Sequence, residues 1–347
     1  MPPMDLSYAQ NLEDYHLAQA FAGQETGFYI DVGAGHPVAD NVSCWFYLCG
    51  WRGLVVEPQA DLLAIYADVR PRDLRENRLV GRAPGMVDFH LVDRLHGFST
   101  IVPEHAARVA EIGARFSTRP HEMTTLAALC DHHGVGQIDF LKIDVEGAEG
   151  DVLAGNDFAR FRPRVICLEA VVPGEMSEGW HQWEPLLVQA GYEFVLYERL
   201  NRFYVAREEG QLLARFPRQP APWLVVPHLG HTNRAERRED HPDHAFARRL
   251  TDAFLASLPG MDRAELLRLV RRGTQPAELD APLTATSKAG AIAALFPGPK
   301  FAHASVGLLA LEAPSLAAFQ EKLVDSDAFR VLLGRISMSY DGGQILD

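Results

Sequence analysis

The sequence is short of cysteine, of basic charge and of long apolar runs, and each shortage excludes something. Four cysteines in 347 residues (Cys44, Cys49, Cys130 and Cys167) are too few and too scattered for a disulfide framework or a Cys-x-x-Cys metal site. Reduced thiols are the plain reading, and the expected location is cytoplasmic. The 33 Lys and Arg stand against 46 Asp and Glu, for a formal net charge of −13. Phosphate recognition depends on clustered Lys and Arg, so no nucleic-acid partner is expected. No uninterrupted apolar run approaches the roughly 20 residues that span a bilayer. Residues 1–11 lack a basic stretch followed by an apolar one, so neither a membrane span nor a secretory signal is expected.

What is present is an ordinary globular composition, 47% hydrophobic and 23% charged, enough for a sizeable core. The length implies two domains, or one large domain with an appendage. Strands and helices alternate from about residue 7 to 208. Ser7 and Gln10 have the spacing of a capping box ahead of a helix in which Leu17, Ala20 and Phe21 share a face. Strands are predicted over 28–32, 54–57, 78–80, 86–92, 138–144, 164–170, 192–196 and 203–206, with helices between them, among these 106–116 and 178–190. Crossovers of that length imply an α/β fold with a mostly parallel sheet and helices on both faces. Near Phe216 the prolines 217, 220, 222 and 227 interrupt any regular element, and the pattern beyond is helical. The expected organisation is a domain over 1–208, a connector over 209–242 and an α-helical region over 243–347.

The chemistry begins at Asp31-x-Gly33-x-Gly35, at the end of the first strand. Glycines flanking Ala34 let the backbone turn sharply and let a ligand approach the main chain, although a plain tight turn has the same look. Glu57 ends the next strand 24 residues after Gly33, just before Pro58. There a carboxylate can accept both hydrogen bonds of a ribose diol. A carboxylate at Asp31 suits a cationic ligand and would repel a pyrophosphate. The third glycine of a dinucleotide fingerprint is also missing, since Val38 follows His36-Pro37. Both facts favour S-adenosylmethionine, with its ammonium and sulfonium, over NAD.

The third element is Leu141-Lys142-Ile143-Asp144-Val145-Glu146-Gly147-Ala148-Glu149. Alternation puts Lys142 and Asp144 on one face of a strand, with Asp144 at the carboxyl edge where open α/β sheets bind ligands. Glu146 and Glu149 can share a face at the start of the next helix, where compensation of the helix dipole is the alternative to a chemical role. For Lys142 the expectation is a buried ion pair with Glu169 or Glu146.

These motifs resemble a known family. Ser7-Tyr8-Ala9-Gln10-Asn11-Leu12-Glu13-Asp14, then Gly27-Phe28-Tyr29-Ile30-Asp31-Val32-Gly33-Ala34-Gly35-His36-Pro37, then Gly50-Trp51-Arg52-Gly53 ahead of Val56-Glu57-Pro58 look like FkbM-type methyltransferases. Ile138-Asp139-Phe140 leading into the 141–149 run, and Leu200-Asn201-Arg202-Phe203-Tyr204-Val205, match as well. The resemblance covers about residues 5–208. It implies a class I methyltransferase (Rossmann-like) fold, with a seven-stranded sheet whose last strand is antiparallel. It also implies S-adenosylmethionine as cofactor and O-methylation of a sugar, glycan or secondary-metabolite hydroxyl. By the same resemblance Tyr8, Gln10 and Asn11 cover the cofactor's amino-acid end, and the loop at Ser99 approaches cofactor or acceptor.

An acceptor hydroxyl needs a base to take its proton as the new bond forms. Glu146 is the first candidate and Glu169 the second, with Asp144 and His36 also at the carboxyl edge; a backbone hydrogen bond is the alternative for His36. Asp144 and Glu169 could instead hold Mg²⁺. No protein metal centre is expected, the His228-x-x-His231 and His241-x-x-His244 pairs reading as surface histidines. The helical region has three available jobs: a homodimer interface, a lid, or docking to a partner. A non-catalytic scaffold that keeps the fold is the competing reading, and an NAD-dependent oxidoreductase conflicts with Asp31.

Overall fold

The computed structural model describes residues 2–92, 99–103, 116–172, 177–231, 234–295 and 311–337. The chain divides into two compact units, Met1–His231 and Thr232–Asp347. The helix expected over 106–116 lies outside the described residues except for Phe116, which opens a strand.

The first unit runs α1 (Glu13–Ala20), β1 (Phe28–Val32), α2 (Cys44–Leu48), β2 (Arg52–Val56), α3 (Ala60–Val69), β3 (Leu74–Glu76), β4 (Leu79–Val80), β5 (Gly85–Val92), β6 (Phe116–Thr124) and α4 (Leu126–His132). It continues with β7 (Phe140–Ile143), α5 (Glu149–Ala154), β8 (Val165–Glu169), α6 (Glu184–Gln189), β9 (Tyr192–Tyr197), β10 (Asn201–Ala206) and α7 (Gly210–Arg215). Seven strands form one sheet in the order β3-β2-β1-β7-β8-β10-β9. β10 runs antiparallel to both its neighbours, and the other pairings are parallel. The chain goes outward from β1 to β3 and returns to β7 on the other side of β1. The carboxyl ends of β1 and β7 therefore flank the switch point, where such sheets leave a crevice for a ligand.

Successive strand residues face opposite sides of the sheet, and both sides are covered. Ile30, Val32, Leu54, Val56, Leu141 and Ile143 belong to one core. Tyr29, Val55, Phe140, Cys167 and Phe203 belong to the other. Asp31 and Lys142 share the parity of Tyr29 and Phe140 and sit opposite each other in register, as a charged pair within apolar strands.

Two expectations are corrected here. Ser7 and Gln10 form no capping box: α1 starts after Leu12, whose φ is 68°, and Ser7 Oγ donates instead to Asp14 Oδ1 at 2.7 Å. The helix expected over 178–190 is a single 3-10 turn at Trp180–Gln182 followed by α6. The break falls where Pro185 enters the first turn of α6, because proline has no N–H to bond to the preceding turn. Residues 209–231 belong to the first unit. The Ser7 N–H donates to the Pro227 carbonyl at 2.9 Å, and the Leu229 N–H donates to the Ser7 carbonyl at 2.9 Å. Leu212 and Phe216 join the core that holds Phe203.

A second sheet, in the order β4-β6-β5, packs Leu79, Phe89 and Met123 together. The Thr232–Asp347 unit contains α8 (His244–Ser257), α9 (Arg263–Val270), α10 (Pro276–Leu279), α11 (Ala285–Leu295), α12 (Leu316–Asp325) and α13 (Asp327–Ser337). Its core is apolar, built on Leu258, Leu266, Phe319, Leu323, Phe329 and Leu333. Among the described residues no helix is long and apolar enough to cross a membrane.

Candidate active site

A cavity of about 540 Å³ opens at the carboxyl ends of β1, β2, β7 and β8. Its floor is the turn after β1. Gly33 has φ 73°, and a Cβ there would fall 1.7 Å from the Asp144 carbonyl oxygen, so both backbone angle and space exclude a side chain. The Gly33 and Ala34 N–H groups donate to the Val56 carbonyl at 3.0 and 3.2 Å. Gly35, with φ 60°, donates its N–H to Glu57 Oε2 at 2.8 Å. Glu57 Oε1 accepts the Gln59 N–H at 2.8 Å, so two backbone donors aim the carboxylate. Burial pushes the Glu57 carboxyl up to about 7, against the pull of those N–H groups.

The far wall is acidic. After β7 the chain turns through Glu146, with φ 56°, and Gly147, with φ 101°. Glu149 Oε1 fastens that turn by accepting the Val145 and Gly147 N–H groups at 3.2 and 3.0 Å. Thr100 Oγ1 donates to the Glu146 carbonyl at 2.8 Å. Asp144, Glu146 and Glu169 each place a carboxylate oxygen within 4.8 Å of the other two. Like charges so close cannot all ionise. Burial pushes Glu146 up to about 9, with Asp144 and Glu149 adding and Lys142 opposing. Glu169 is pushed up to about 11, again by burial first and then by Asp144 and Glu146. Its Oε2 is buried without a hydrogen-bond partner.

Lys142 is the buried cation of the site, but its partners are not those expected. Nζ donates to Asp144 Oδ2 at 3.1 Å and to the Gly33 carbonyl at 3.2 Å, and lies 3.9 Å from Asp31 Oδ1. Strand register explains the difference, since Asp31 faces Lys142 directly across β1 and β7. Burial pulls the ammonium down, but Asp144 and then Asp31 outweigh it and hold it above its ordinary range.

Gln10, Gly33, Ala34, Gly35, His36, Glu57, Pro58 and Ser99 line the cavity together with Asp144, Glu146 and Glu169. Asp31, Tyr8 and Asn11 do not. Asp31 is 1% exposed; Oδ2 accepts the Ser43 hydroxyl at 2.6 Å, and Oδ1 has no hydrogen bond. Its charge reaches the cavity by way of Lys142. Tyr8 gives its N–H to Asp14 Oδ2 at 2.7 Å, and Asn11 Nδ2 donates to the Glu198 carbonyl at 2.7 Å. Both fasten the N-terminal segment. His36 Nδ1 accepts the N–H groups of Val38 and Ala39 at 3.2 and 3.1 Å. Backbone N–H can only donate, so the ring proton is on Nε2 and His36 presents a donor, not a base. Burial lowers the tendency of that ring to protonate further.

No sequence pattern points to Arg70, which holds the glycine turn from behind. It is 1% exposed and donates to Asn41 Oδ1 at 2.8 Å, to the Pro37 carbonyl at 3.1 Å and to Ser43 Oγ at 2.9 Å. Asn41 Nδ2 in turn donates to the Ala34 carbonyl at 2.9 Å. An arginine just past a helix end is ordinarily a surface residue, so nothing in the sequence marks this one.

No curated protein matches the sequence. Residues 31–194 match the family model described as the Methyltransferase FkbM domain. The matched stretch begins at Asp31, takes in the glycine turn, Glu57 and the whole acidic wall, and ends inside β9, so this part of the chain is similar to the FkbM methyltransferase domain.

Proposed function

We propose that the protein transfers a methyl group from S-adenosylmethionine to a hydroxyl of a sugar, glycan or secondary metabolite. The observation that carries this reading is the convergence of three carboxylates on one end of a cavity whose floor excludes a side chain at Gly33. Such a wall attracts a cation and repels a pyrophosphate, which favours a sulfonium cofactor over a dinucleotide. When bound, the cofactor supplies an electrophilic methyl group. Glu57, already aimed by two N–H groups, accepts from the ribose diol, and Gly33 lets the ligand lie against the main chain.

The acidic wall holds protons at neutral pH, because Glu146 and Glu169 are pushed up to about 9 and about 11. A cation beside the wall favours the ionised form, and Glu146, on the turn after β7, is the carboxyl assigned to lose its proton. As a carboxylate it takes the proton of the acceptor hydroxyl. Glu169 keeps its proton and can donate to an acceptor oxygen, as can His36 Nε2–H. Lys142 fixes Asp144 beside them.

The test is thermal stabilisation of the full chain. S-adenosylhomocysteine is expected to raise the melting temperature with concentration while NAD⁺ does not. A shift with NAD⁺ alone overturns the reading, and a shift with neither supports the scaffold. Activity lost to EDTA and restored by Mg²⁺ would put a hard cation on the three carboxylates in place of the shared protons.

A further inference from the structure

A second group of side chains lies on another edge of the sheet unit, none of the three being in the cavity lining. Glu76 ends β3, the edge strand, and His132 and His133 stand at the end of α4. His133 Nε2 is 2.7 Å from Glu76 Oε1, and His132 Nε2 is 4.0 Å from the same oxygen. The two imidazoles are packed edge to face, with centroids 4.8 Å apart. One donor atom from each of the three residues fits within a 4.8 Å span. One imidazole is enough to satisfy one carboxylate oxygen, yet here two converge on it.

We propose that Glu76, His132 and His133 form a binding site for a zinc-class divalent ion, with a further position open to water. Two imidazole nitrogens and one carboxylate oxygen are the borderline donor set that suits Zn²⁺ and leaves Mg²⁺ and Ca²⁺ weakly held. Bonds of about 2.0–2.1 Å in tetrahedral array would set the donors about 3.3 Å apart. The observed 2.7 and 4.0 Å bracket that separation. Two ligands are already in place, the Glu76 and His133 side chains being 12% and 16% exposed. The third, His132, is 66% exposed and has room to swing inward. Arg78 Nη1 lies 3.5 Å from Glu76 Oε2, which leaves Oε1 to the imidazoles and supplies the outer support that ligating carboxylates commonly have.

A bound ion would tie the edge strand to α4. The Glu76 carbonyl accepts the Glu57 N–H at 3.0 Å, so the brace would act on the strand that positions the proposed ribose ligand. The site itself stands whether or not the methyl-transfer reading does, because metal binding is measured on the chain alone.

The experiment titrates the full-length, metal-stripped protein with Zn²⁺, Co²⁺ and Mg²⁺, following heat, melting temperature and the visible absorption of Co²⁺. One equivalent of Zn²⁺ is expected to raise the melting temperature, Co²⁺ to develop a d–d band, and Mg²⁺ to do neither at this site. His133→Ala should abolish the effect. His132→Ala and Glu76→Gln should each weaken binding by roughly tenfold or more. Metal-free melting temperatures of the three variants report whether each still folds. Glu146→Gln should leave Zn²⁺ binding unchanged. Zn²⁺ binding that survives both histidine substitutions is an adventitious ion only and overturns the proposal. So does binding lost in Glu146→Gln, which would move the ion to the acidic wall, and so does the absence of any Zn²⁺ effect.

Discussion

In the sheet unit Asp31, Glu57, Arg70, Asp73 and Lys142 are all nearly inaccessible to solvent, whereas in the helical unit Gln320 is the buried polar side chain among the described residues. Burying a charge is costly unless it is paired and hydrogen-bonded, so a fold keeps such groups where they hold geometry or do chemistry. In the sheet unit they form two connected sets. Arg70, Asp73, Tyr29, Asn41 and Ser43 lie behind the glycine turn. Lys142 and Asp31 lie beneath the acidic wall and join it through Asp144. Among the described residues the helical unit's core is aliphatic and aromatic but for Gln320, its ion pairs such as Arg263–Asp325 lie at the surface, and its caps are ordinary, with Asp262 accepting the Glu265 N–H and Ser315 the Ala318 N–H. One unit spends stability on position; the other only packs.

The largest effect that would sharpen this contrast is expected from Glu146→Gln. Losing the base should cost about 10²–10⁴-fold in turnover. Affinity for S-adenosylhomocysteine should stay within a few-fold, as measured by calorimetry. Full activity in this variant would remove Glu146 as the base.

Next come two core substitutions of similar cost and different consequence. Arg70→Leu leaves Asp73 buried without its cation and should destabilise the protein by about 3–5 kcal/mol. Phe319→Ala opens a cavity in the helical core and should cost about 3–5 kcal/mol in the unfolding of that unit. The first should also weaken S-adenosylhomocysteine binding, because Asn41 no longer steadies the Ala34 carbonyl; the second should not. Equal loss of affinity in both, by calorimetry below the melting transition, would break the contrast.

A smaller effect is expected from Glu57→Ala. Removing a charge-assisted pair of hydrogen bonds should weaken cofactor binding by about 1–3 kcal/mol. Unchanged affinity would contradict the ribose assignment.

Much of the sheet unit was legible because strands buried on both faces read as short apolar runs. Phe28–Val32 and Phe140–Ile143 are of that kind, and glycine turns follow the first. β6 was not legible: of its nine residues Met123 is the buried one, so no alternation marks it. The cavity's composition was largely foreseeable from where carboxylates stand at strand ends. The partners were not. Lys142 pairs with Asp31 through strand register, and Ser7 pairs with Asp14 through a left-handed residue at Leu12, neither of which sequence spacing encodes. Arg70 and the Glu76–His133 pair join elements far apart in the chain, where pattern has no reach.

A further effect is on pH dependence, and its sign follows from the acidic wall. The Glu146 carboxyl is raised by burial, then by Asp144 and Glu149, from 4.5 to about 9. Below about 4.5 it is protonated whether the chain is folded or not, and it contributes no slope. Above that the unfolded chain releases its proton while the folded one keeps it, so the folded state binds more protons and stability falls as pH rises. The fall ends near 9, where the folded state also ionises. The ligand-free protein should therefore lose melting temperature between about pH 6 and pH 9, and Glu146→Gln, which cannot ionise, should flatten that slope. Phe319→Ala should lower the melting temperature of its own unit without changing the slope, since no titrating group is added or removed there. A slope unaltered by Glu146→Gln would mean that other carboxyls, with Glu169 and Glu149 the nearest, hold the protons assigned to this one.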